Sequence, residues 1–368
     1  MRRLRITLIA LSLAGMACTL ANPAPAPSPS AFDLGRTAYG FFPSPPEPSF
    51  LSVIMHFVAL EKHAEFVLVQ PNIPWADVIS IANEEPQRLT DIRNQVNLAY
   101  QNGLDVAFVV DPLNGLNRTQ FMGLPDGWEP SFSTLQVRAA FTHFALWIAR
   151  TYHPRYLGLA SEINTYADAH PDDFANYLSL YRETYAAIKA ESPETRVFVT
   201  FQWEDLNNLI PSAAEGRSPY QTDWEEVEAF EPQLDLWAIS SYPFAVFKAG
   251  SEIPAGYYTP LLARTDKPLA VAEGGYTSRP IGPFTGTPQD QVDYLNAIHA
   301  QLGPRLRFWV YLLLSDFNPQ SFATAMRAQG LPESDVNTLG MFSAVGLRQA
   351  DGTPKPALAV WDAFRTGK

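Results

Sequence analysis

Eight short runs of apolar residues recur along the chain from about residue 33 onward, and stretches with apolar positions at helical spacing separate them. Most of these runs are continuous rather than alternating, which is typical of strands buried on both faces of a parallel sheet. The predicted strands cover residues 36–41, 65–70, 104–110, 156–160, 196–201, 234–240, 268–272 and 306–313.

Helical patterns lie between the predicted strands, most clearly at 87–100, 134–152, 172–191 and 287–302 and more weakly at 50–60, 222–230, 257–264 and 357–365. The segment Thr287-Pro288-Gln289-Asp290 is a strong helix start, with a capping threonine, a proline in the first turn and an acid at the third position. Eight strands that each precede a helix predict an α/β fold, a single (β/α)8 TIM barrel over residues 33–368. Two long loops, 114–133 and 316–347, follow the third and eighth strands.

The segment before the predicted barrel has the composition of an export signal and a linker. Residues 1–17 join a basic start to a short apolar run, which is typical of a secretory signal peptide and too short for a membrane span. Cys18 is the only cysteine, so no internal disulfide is expected, and its position resembles the acylation site of a bacterial lipoprotein. Plain cleavage after Ala17 or Ala21 is the alternative. Residues 18–32, rich in Pro, Ala and Ser, predict an extended linker.

Composition and motifs argue against several classes of protein. The formal net charge of -12 disfavours nucleic acid as a partner. The six histidines are scattered without an H-E-x-x-H motif, so we expect no metal site and no cofactor. Neither a G-x-S-x-G nor a G-x-G-x-x-G motif follows a predicted strand. Asn117-Arg118-Thr119 matches a glycosylation sequon, a pattern that arises often by chance. We expect an exported monomer, either attached to the bacterial cell envelope through Cys18 or released outside the cell.

Two glutamates directly follow apolar runs whose ends should meet. Active sites of such barrels lie at the C-terminal ends of the strands. Glu162 follows the fourth strand and Glu273 the seventh, and these strands lie across the barrel mouth from each other. Retaining glycosidases need two carboxyl groups about 5–5.5 Å apart, one to protonate the leaving oxygen and one to attack the anomeric carbon. Gly274 and Gly275, which follow Glu273, allow a substrate to approach closely.

The segments 157–164 (LGLASEIN) and 269–276 (LAVAEGGY) resemble the two catalytic segments of a large clan of retaining barrel glycoside hydrolases. That clan carries glutamates on strands four and seven and includes mannanases, cellulases, xylanases and galactanases. The resemblance implies that Glu162 is the acid/base and Glu273 the nucleophile. Ser241-Tyr242 also resembles the clan's segment whose tyrosine binds the nucleophile. The architecture covers the whole mature chain, whereas the motifs cover only these three segments, and the family is unassigned.

The sequence departs from the clan pattern at three points. Ser161 stands where most members have an asparagine, no arginine is found near the second strand, and no tryptophan clearly follows the eighth. Ser161 and the missing arginine support an alternative, a catalytically silent barrel lipoprotein that only binds glycan. A barrel enzyme with other chemistry is a third reading. Glu204, close behind the fifth strand, competes weakly for a catalytic role.

Further residues at the predicted strand ends are candidates for binding a carbohydrate substrate. The polar candidates bind sugar hydroxyls or cap loops; they are Asn164, Gln202 and Asp111. The aromatic candidates stack on sugar rings or belong to the core; they are Trp203, Trp75 and Tyr276. Tyr242 completes the predicted site.

Overall fold

The computed structural model describes residues 30–79, 87–210 and 216–367. The predicted signal segment 1–17, Cys18 and the linker up to residue 29 lie outside the described residues. The lipidation and cleavage sites therefore stay predictions.

The strands of the described chain form a parallel barrel and one hairpin. They are β1 (Ala38–Phe41), β2 (Phe66–Val69), β3 (Asp105–Val109), β4 (Leu113–Asn114), β5 (Asn117–Phe121), β6 (Tyr156–Gly158), β7 (Arg196–Phe198), β8 (Thr200–Gln202), β9 (Trp237–Ser241), β10 (Leu269–Gly274) and β11 (Leu306–Tyr311). Nine of them pair in the order β7-β6-β3-β2-β1-β11-β10-β9-β8. Because only Val199 separates β7 from β8, they are halves of one strand, and the sheet closes on itself. The predicted TIM barrel is confirmed, with β6 as its fourth strand and β10 as its seventh.

Helices surround this barrel and connect its strands. They are α1 (Phe50–His63), α2 (Gln87–Gln101), α3 (Leu135–Tyr152), α4 (Ile163–Ala169), α5 (Pro171–Glu191), α6 (Trp203–Leu206), α7 (Trp224–Glu228), α8 (Thr259–Arg264), α9 (Pro288–Leu302), α10 (Pro319–Ala328), α11 (Glu333–Met341) and α12 (Pro356–Thr366). None of the helices that the structure describes is long and apolar enough to cross a membrane.

The predicted start of α9 has the expected capping geometry. The Thr287 side chain accepts a hydrogen bond from the Asp290 backbone, and the Asp290 carboxylate accepts one from the Thr287 backbone in return. Asp290 also accepts a bond from Gly250 N over 2.7 Å, which ties the loop after β9 to this helix. A local sequence signal therefore also fixes a tertiary contact near the barrel mouth.

Aromatic rings fill the end of the barrel where the strands begin. Phe308 packs against Phe66 and Tyr156 with ring centroids 5.8 Å and 4.9 Å away. Phe32, in a 3-10 turn before β1, lies 4.9 Å from Phe66 and closes this end from outside. The Ser30 hydroxyl donates to Asp105 Oδ2 over 2.9 Å and fixes the entering chain there. The chain therefore enters the barrel at the end opposite the predicted active site.

The two segments predicted as long loops contain regular structure. Residues 114–133 include most of the hairpin β4–β5, and residues 316–347 carry α10 and α11. The short helix α4 directly after Glu162 was also not predicted. These elements lie at the C-terminal ends of the strands. The barrel mouth is therefore surrounded by more regular structure than the sequence analysis predicted.

Candidate active site

Glu162 stands at the junction between β6 and α4, in a backbone conformation that few residues adopt. Its φ is 52° and its ψ 44°, in the left-handed region. Such a conformation costs a non-glycine residue about 1–3 kcal/mol, and such residues cluster at functional sites. The Glu162 N–H donates to Thr200 Oγ1 over 2.8 Å, so the fifth barrel strand holds the strained turn.

The Glu162 carboxylate is buried and binds two donors. Ser240 Oγ donates to Oε1 over 2.5 Å, and Arg118 Nε donates to Oε2 over 2.8 Å. Only 8% of Glu162 remains exposed. Two donors, one of them a cation, hold this carboxylate in place.

Glu273, near the end of β10, has different surroundings. Tyr242 OH donates to its Oε1 over 2.5 Å. Burial of the carboxyl group and the nearby negative charge of Glu162 raise the pKa of Glu273 to about 7, and Arg118 and the Tyr242 hydroxyl only partly oppose the rise. Glu273 therefore holds a proton more readily than an ordinary glutamate does.

Ser240 connects the two glutamates. It is the cross-strand partner of Glu273 in the β9–β10 pairing, and its hydroxyl binds Glu162 directly. Glu273 and Glu162 also both raise the pKa of the buried Tyr242, after burial itself. The two predicted catalytic glutamates therefore converge on one centre at the barrel mouth.

Arg118 is the cation of this centre. Its Nη1 pairs with Asp111 Oδ2, and Asp111 also accepts bonds from Gln70 Nε2 at 2.7 Å and from Leu113 N at 3.1 Å. Burial opposes the charged form of Arg118, but Asp111, Glu162 and Glu273 raise its pKa above the ordinary value. Burial likewise raises the pKa of Asp111, against the opposing effect of Arg118. Asp111 therefore orients the arginine and does not face the cleft as a free acid.

Arg118 was missed in the sequence. The clan pattern directs attention to the second strand, whereas this arginine reaches the centre from β5, after the third strand, and stood in the sequence only as part of a sequon. The Asn114-Gly115 pair is a typical hairpin signal. It predicts a chain reversal that brings Arg118 back toward Asp111. Ser240 was also missed, because it ends a predicted strand without a motif of its own.

Glu204 is a buried structural carboxylate. It accepts hydrogen bonds from Ser241 Oγ at 2.7 Å, from Gln202 Nε2 at 2.7 Å, from Tyr242 N at 2.9 Å and from Tyr257 OH at 3.1 Å. Burial raises its pKa even though these donors oppose the rise. Glu204 is fully buried and holds the backbone of Tyr242 in place, so it positions the tyrosine that binds Glu273.

Asn164 and Gln202 bind each other instead of facing the mouth. Asn164 Oδ1 accepts a bond from Gln202 N at 2.8 Å, and its Nδ2 donates to Gln202 O and to Asp205 Oδ2, each at 3.2 Å. The Gln202 side chain accepts a bond from Asp205 N and donates to Glu204. These contacts attach α4 to the fifth barrel strand and occupy the polar groups that were predicted to bind sugar.

The three aromatic candidates lie in the core. Trp203 is fully buried, and Trp75 and Tyr276 are 1% and 0% exposed. Trp75 Nε1 donates to Met122 O, and Tyr276 OH donates to Phe247 O, each over 2.8 Å. Because none of these rings has an exposed face, the structure does not bring them to the cleft as stacking platforms. They are core residues that support its walls.

The departures from the clan pattern also have structural counterparts. Ser161 is buried, and its hydroxyl lies 3.2 Å from Thr200 Oγ1. Trp309 is fully buried within β11.

In the described part of the chain, no group of three or more His, Cys, Asp or Glu side chains is placed to hold a metal ion.

Sequence comparisons leave the chain without a family. No protein-family model matches it, and no curated protein sequence matches it significantly.

Solved structures give a different result, because many chains share its fold. A GH5_18 from Bifidobacterium longum subsp. longum ATCC 55813 is 14% identical with a TM-score of 0.62, over 90% of this chain and 79% of that one. A family 39 glycoside hydrolase from Bacteroides cellulosilyticus WH2 is 14% identical with a TM-score of 0.56, and the match spans 90% of this chain but only 64% of the hydrolase. A fungal β-1,4-galactanase is 13% identical with a TM-score of 0.56, over 88% and 93% of the two chains. The chain thus has the (β/α)8 fold of these glycoside hydrolases.

Proposed function

We propose that this protein is a glycoside hydrolase that cleaves O-glycosidic bonds with Glu162 and Glu273. The observation that carries the proposal is the convergence of the buried Glu162 and the partly buried Glu273, from the fourth and seventh barrel strands, on one centre. The two carboxyl groups have different surroundings, since one is paired with a cation and the pKa of the other is raised, and the reaction needs two carboxyl groups that differ in protonation. The architecture shared with known glycoside hydrolases supports the same reading.

The proposed reaction is a double displacement with retention, in the roles that the resemblance implies. A Glu273 oxygen forms a bond to the anomeric carbon while the bond to the leaving oxygen breaks, and Glu162 gives its proton to that oxygen. Water then attacks the glycosyl-enzyme. Glu162 takes a proton from the water, and Glu273 leaves as a carboxylate. The electron pairs and the proton balance over the two steps.

The raised pKa of Glu273 opposes its role as an ionised nucleophile. The Tyr242 hydroxyl acts against this rise, because it donates to the Glu273 carboxyl group and stabilises its ionised form.

The proposed substrate class is a β-linked hexoside, with β-1,4-mannosides as the first compounds to test. Among the structural neighbours, a GH5_18 from the same Bifidobacterium strain was solved with Manβ1-4GlcNAc, and another neighbour is an exo-β-1,4-mannosidase from Opitutaceae bacterium strain TAV5. These sugars belong to those proteins and support only the choice of probes here.

A mechanism-based probe tests the role of Glu273. Activated 2-deoxy-2-fluoro-glycosides accumulate as covalent glycosyl-enzymes, and peptide mass spectrometry then locates the labelled residue. We expect the label on Glu273 and loss of labelling in Glu273→Gln. Hydrolysis of aryl glycosides should fall by several orders of magnitude in Glu273→Ala, whereas Glu162→Ala should retain cleavage of substrates with good leaving groups and gain rate with azide. A label on Glu162 would reverse the two roles.

A glycan-binding barrel without activity is the second candidate, because the Glu162 carboxylate is held in an ion pair with Arg118 and Ser161 stands where most clan members have an asparagine. The same panel separates the two functions, since a silent barrel would bind an oligosaccharide with no turnover and no covalent label.

We further propose that the protein is exported and acts at the bacterial cell envelope. The chain enters the barrel at Ser30 and Phe32, at the end away from Glu162 and Glu273. Attachment to the membrane through a lipidated Cys18 would therefore leave the active-site mouth facing away from the membrane. Metabolic labelling with an alkyne fatty acid, compared between the natural chain and Cys18→Ser, tests the anchor.

A further inference from the structure

The segment 316–347, here called the mouth segment, follows the eighth barrel strand and contacts the loops of four other strands. It contains α10 and α11 and lies on the same side of the barrel as Glu162 and Glu273. The sequence predicted only a loop here, and the proposed reaction does not by itself require that this segment be packed.

The first contact joins the mouth segment to the loop after β1. Asn318 N donates to Pro46 O over 3.0 Å, and Ser321 Oγ donates to Glu47 Oε2 over 2.5 Å. The start of α10 is therefore fixed to the neighbouring strand end.

The second contact reaches the hairpin β4–β5, past the second barrel strand. Asn114 Nδ2 donates to Asp335 Oδ2 over 3.1 Å, and both residues are buried. Met326 and Val336 form a small apolar cluster with which Leu116 of the hairpin packs. A buried polar pair beside an apolar cluster is a packed interface and not a loose loop contact.

The third and fourth contacts reach the loops after β9 and β10. The ring of Phe342 lies 5.1 Å from the ring of Tyr242, whose hydroxyl binds Glu273. Ser278 N donates to Ala344 O over 3.0 Å, and Ser278 Oγ donates to the same oxygen over 2.9 Å. One end of the mouth segment thus touches the side chain that holds Glu273, and α11 touches the hairpin that carries Arg118 to Glu162.

These contacts span one half of the barrel mouth. The line from β6 to β10 divides the mouth into two halves, and one half holds β11, β1, β2 and β3. The mouth segment follows β11 and contacts the loop after β1 and the hairpin after β3. We infer that the catalytic centre is a pocket blocked on this side, so that the enzyme removes sugars from chain ends and does not cut within a chain. This inference rests on the proposed function and assigns its mode of action.

Product analysis of the natural chain tests the inference. With β-1,4-mannohexaose and β-1,4-galactohexaose as probes, we expect a mono- or disaccharide and its complement at the earliest time points. Trimer as the major first product, or a rapid fall in mannan viscosity, would overturn the inference and leave the hydrolase proposal intact. Absence of both turnover and covalent label would instead count against the proposed function.

A second measurement does not depend on activity. In Glu273→Gln, titration with mannooligosaccharides of one to six units should show affinity that stops rising after two or three units, whereas a steady gain up to six units indicates an open groove and contradicts the pocket. Hydrogen exchange of residues 114–118 and 319–341 should be slow, and exchange within seconds would show that the mouth segment is not seated.

A matched pair of variants connects the pocket to these contacts. Asp335→Ala removes the partner of Asn114, so we expect faster exchange in α11 and a several-fold larger share of internal cleavage. Arg327→Ala breaks an exposed ion pair to Glu333 within the same segment and should leave the product pattern unchanged. An identical product pattern in both variants, despite faster exchange in Asp335→Ala, would show that the mouth segment does not set the mode of action.

Discussion

Arg118 Nε lies 2.8 Å from Glu162 Oε2. In the described structure, this arginine is the only cation in direct contact with either proposed catalytic glutamate, and it binds the proposed acid/base. Asp111 fixes the opposite end of the guanidinium. The arginine therefore holds one carboxyl in place and lowers the repulsion between the two.

Arg118→Ala should reduce both stability and activity. The substitution leaves Asp111 and Glu162 buried without their cation, and breaking a buried pair costs about 3–5 kcal/mol. Loss of a positioned charge at an active site typically lowers kcat by about 10²–10³-fold. Urea unfolding and aryl-glycoside kinetics check these effects. The control Arg150→Ala breaks an exposed ion pair with Glu191 and should leave the stability nearly unchanged. Equal effects of the two variants would contradict the role of Arg118.

The raised pKa of Glu273 predicts how activity depends on pH. Double displacement needs one protonated and one ionised carboxyl, and the pair loses its last proton near the raised pKa of about 7. We expect kcat/KM to fall as the pH rises above about 7 and to fall again in acid, where both carboxyls are protonated. A plateau that extends to pH 9 would show that no proton on this pair is needed.

The same pKa makes Glu273 a cost to folding above neutral pH. The pKa of Glu273 is about 7 in the folded protein, against an ordinary value of 4.5. Its contribution to folding stability is therefore fully present below pH 4.5 and is lost as the pH rises toward 7, because the folded site disfavours the ionised carboxyl. Glu273→Gln should therefore be more stable than the natural chain at pH 8, by at most about 3 kcal/mol. The gain should vanish near pH 4. Thermal unfolding across this range measures the difference, and a gain independent of pH would point to packing instead of ionisation.

Tyr242→Phe should raise the pKa of Glu273 further, because the phenol hydroxyl stabilises the ionised carboxyl and phenylalanine keeps the ring packing against Phe342. We expect a lower kcat/KM and a shift of both pH limbs to higher pH. Tyr185→Phe removes a hydroxyl that binds Asp235, far from the barrel mouth, and is the matched control. A uniform loss of activity with unmoved limbs would indicate that the hydroxyl binds substrate and does not tune Glu273.

The fold and the two glutamates could be predicted because each depends on local signals. Continuous apolar runs indicate buried parallel strands, and residues that end such strands lie at one face of a barrel. Arg118 could not be placed in this way, since its approach depends on a hairpin turn and on its pairing with Asp111. Trp203 was instead predicted to face the cleft although it lies in the core. Its position after a strand is the same in both cases. Only the packing of neighbouring helices decides between them.

Glu204→Gln tests whether a carboxylate outside the reaction controls it through Tyr242. The natural side chain accepts four hydrogen bonds, and the amide would place a donor against donors, so we expect a loss of about 1–3 kcal/mol in the free energy of unfolding. Because the Tyr242 backbone loses one of its partners, kcat should fall more than KM changes, and the pH limbs set by Glu273 should broaden or shift. The exposed Glu225→Gln is the control for a change of charge in the same region and should leave stability and kinetics unchanged. If Glu204→Gln loses stability but keeps the kcat and pH profile of the natural chain, Glu204 supports the fold without positioning Tyr242.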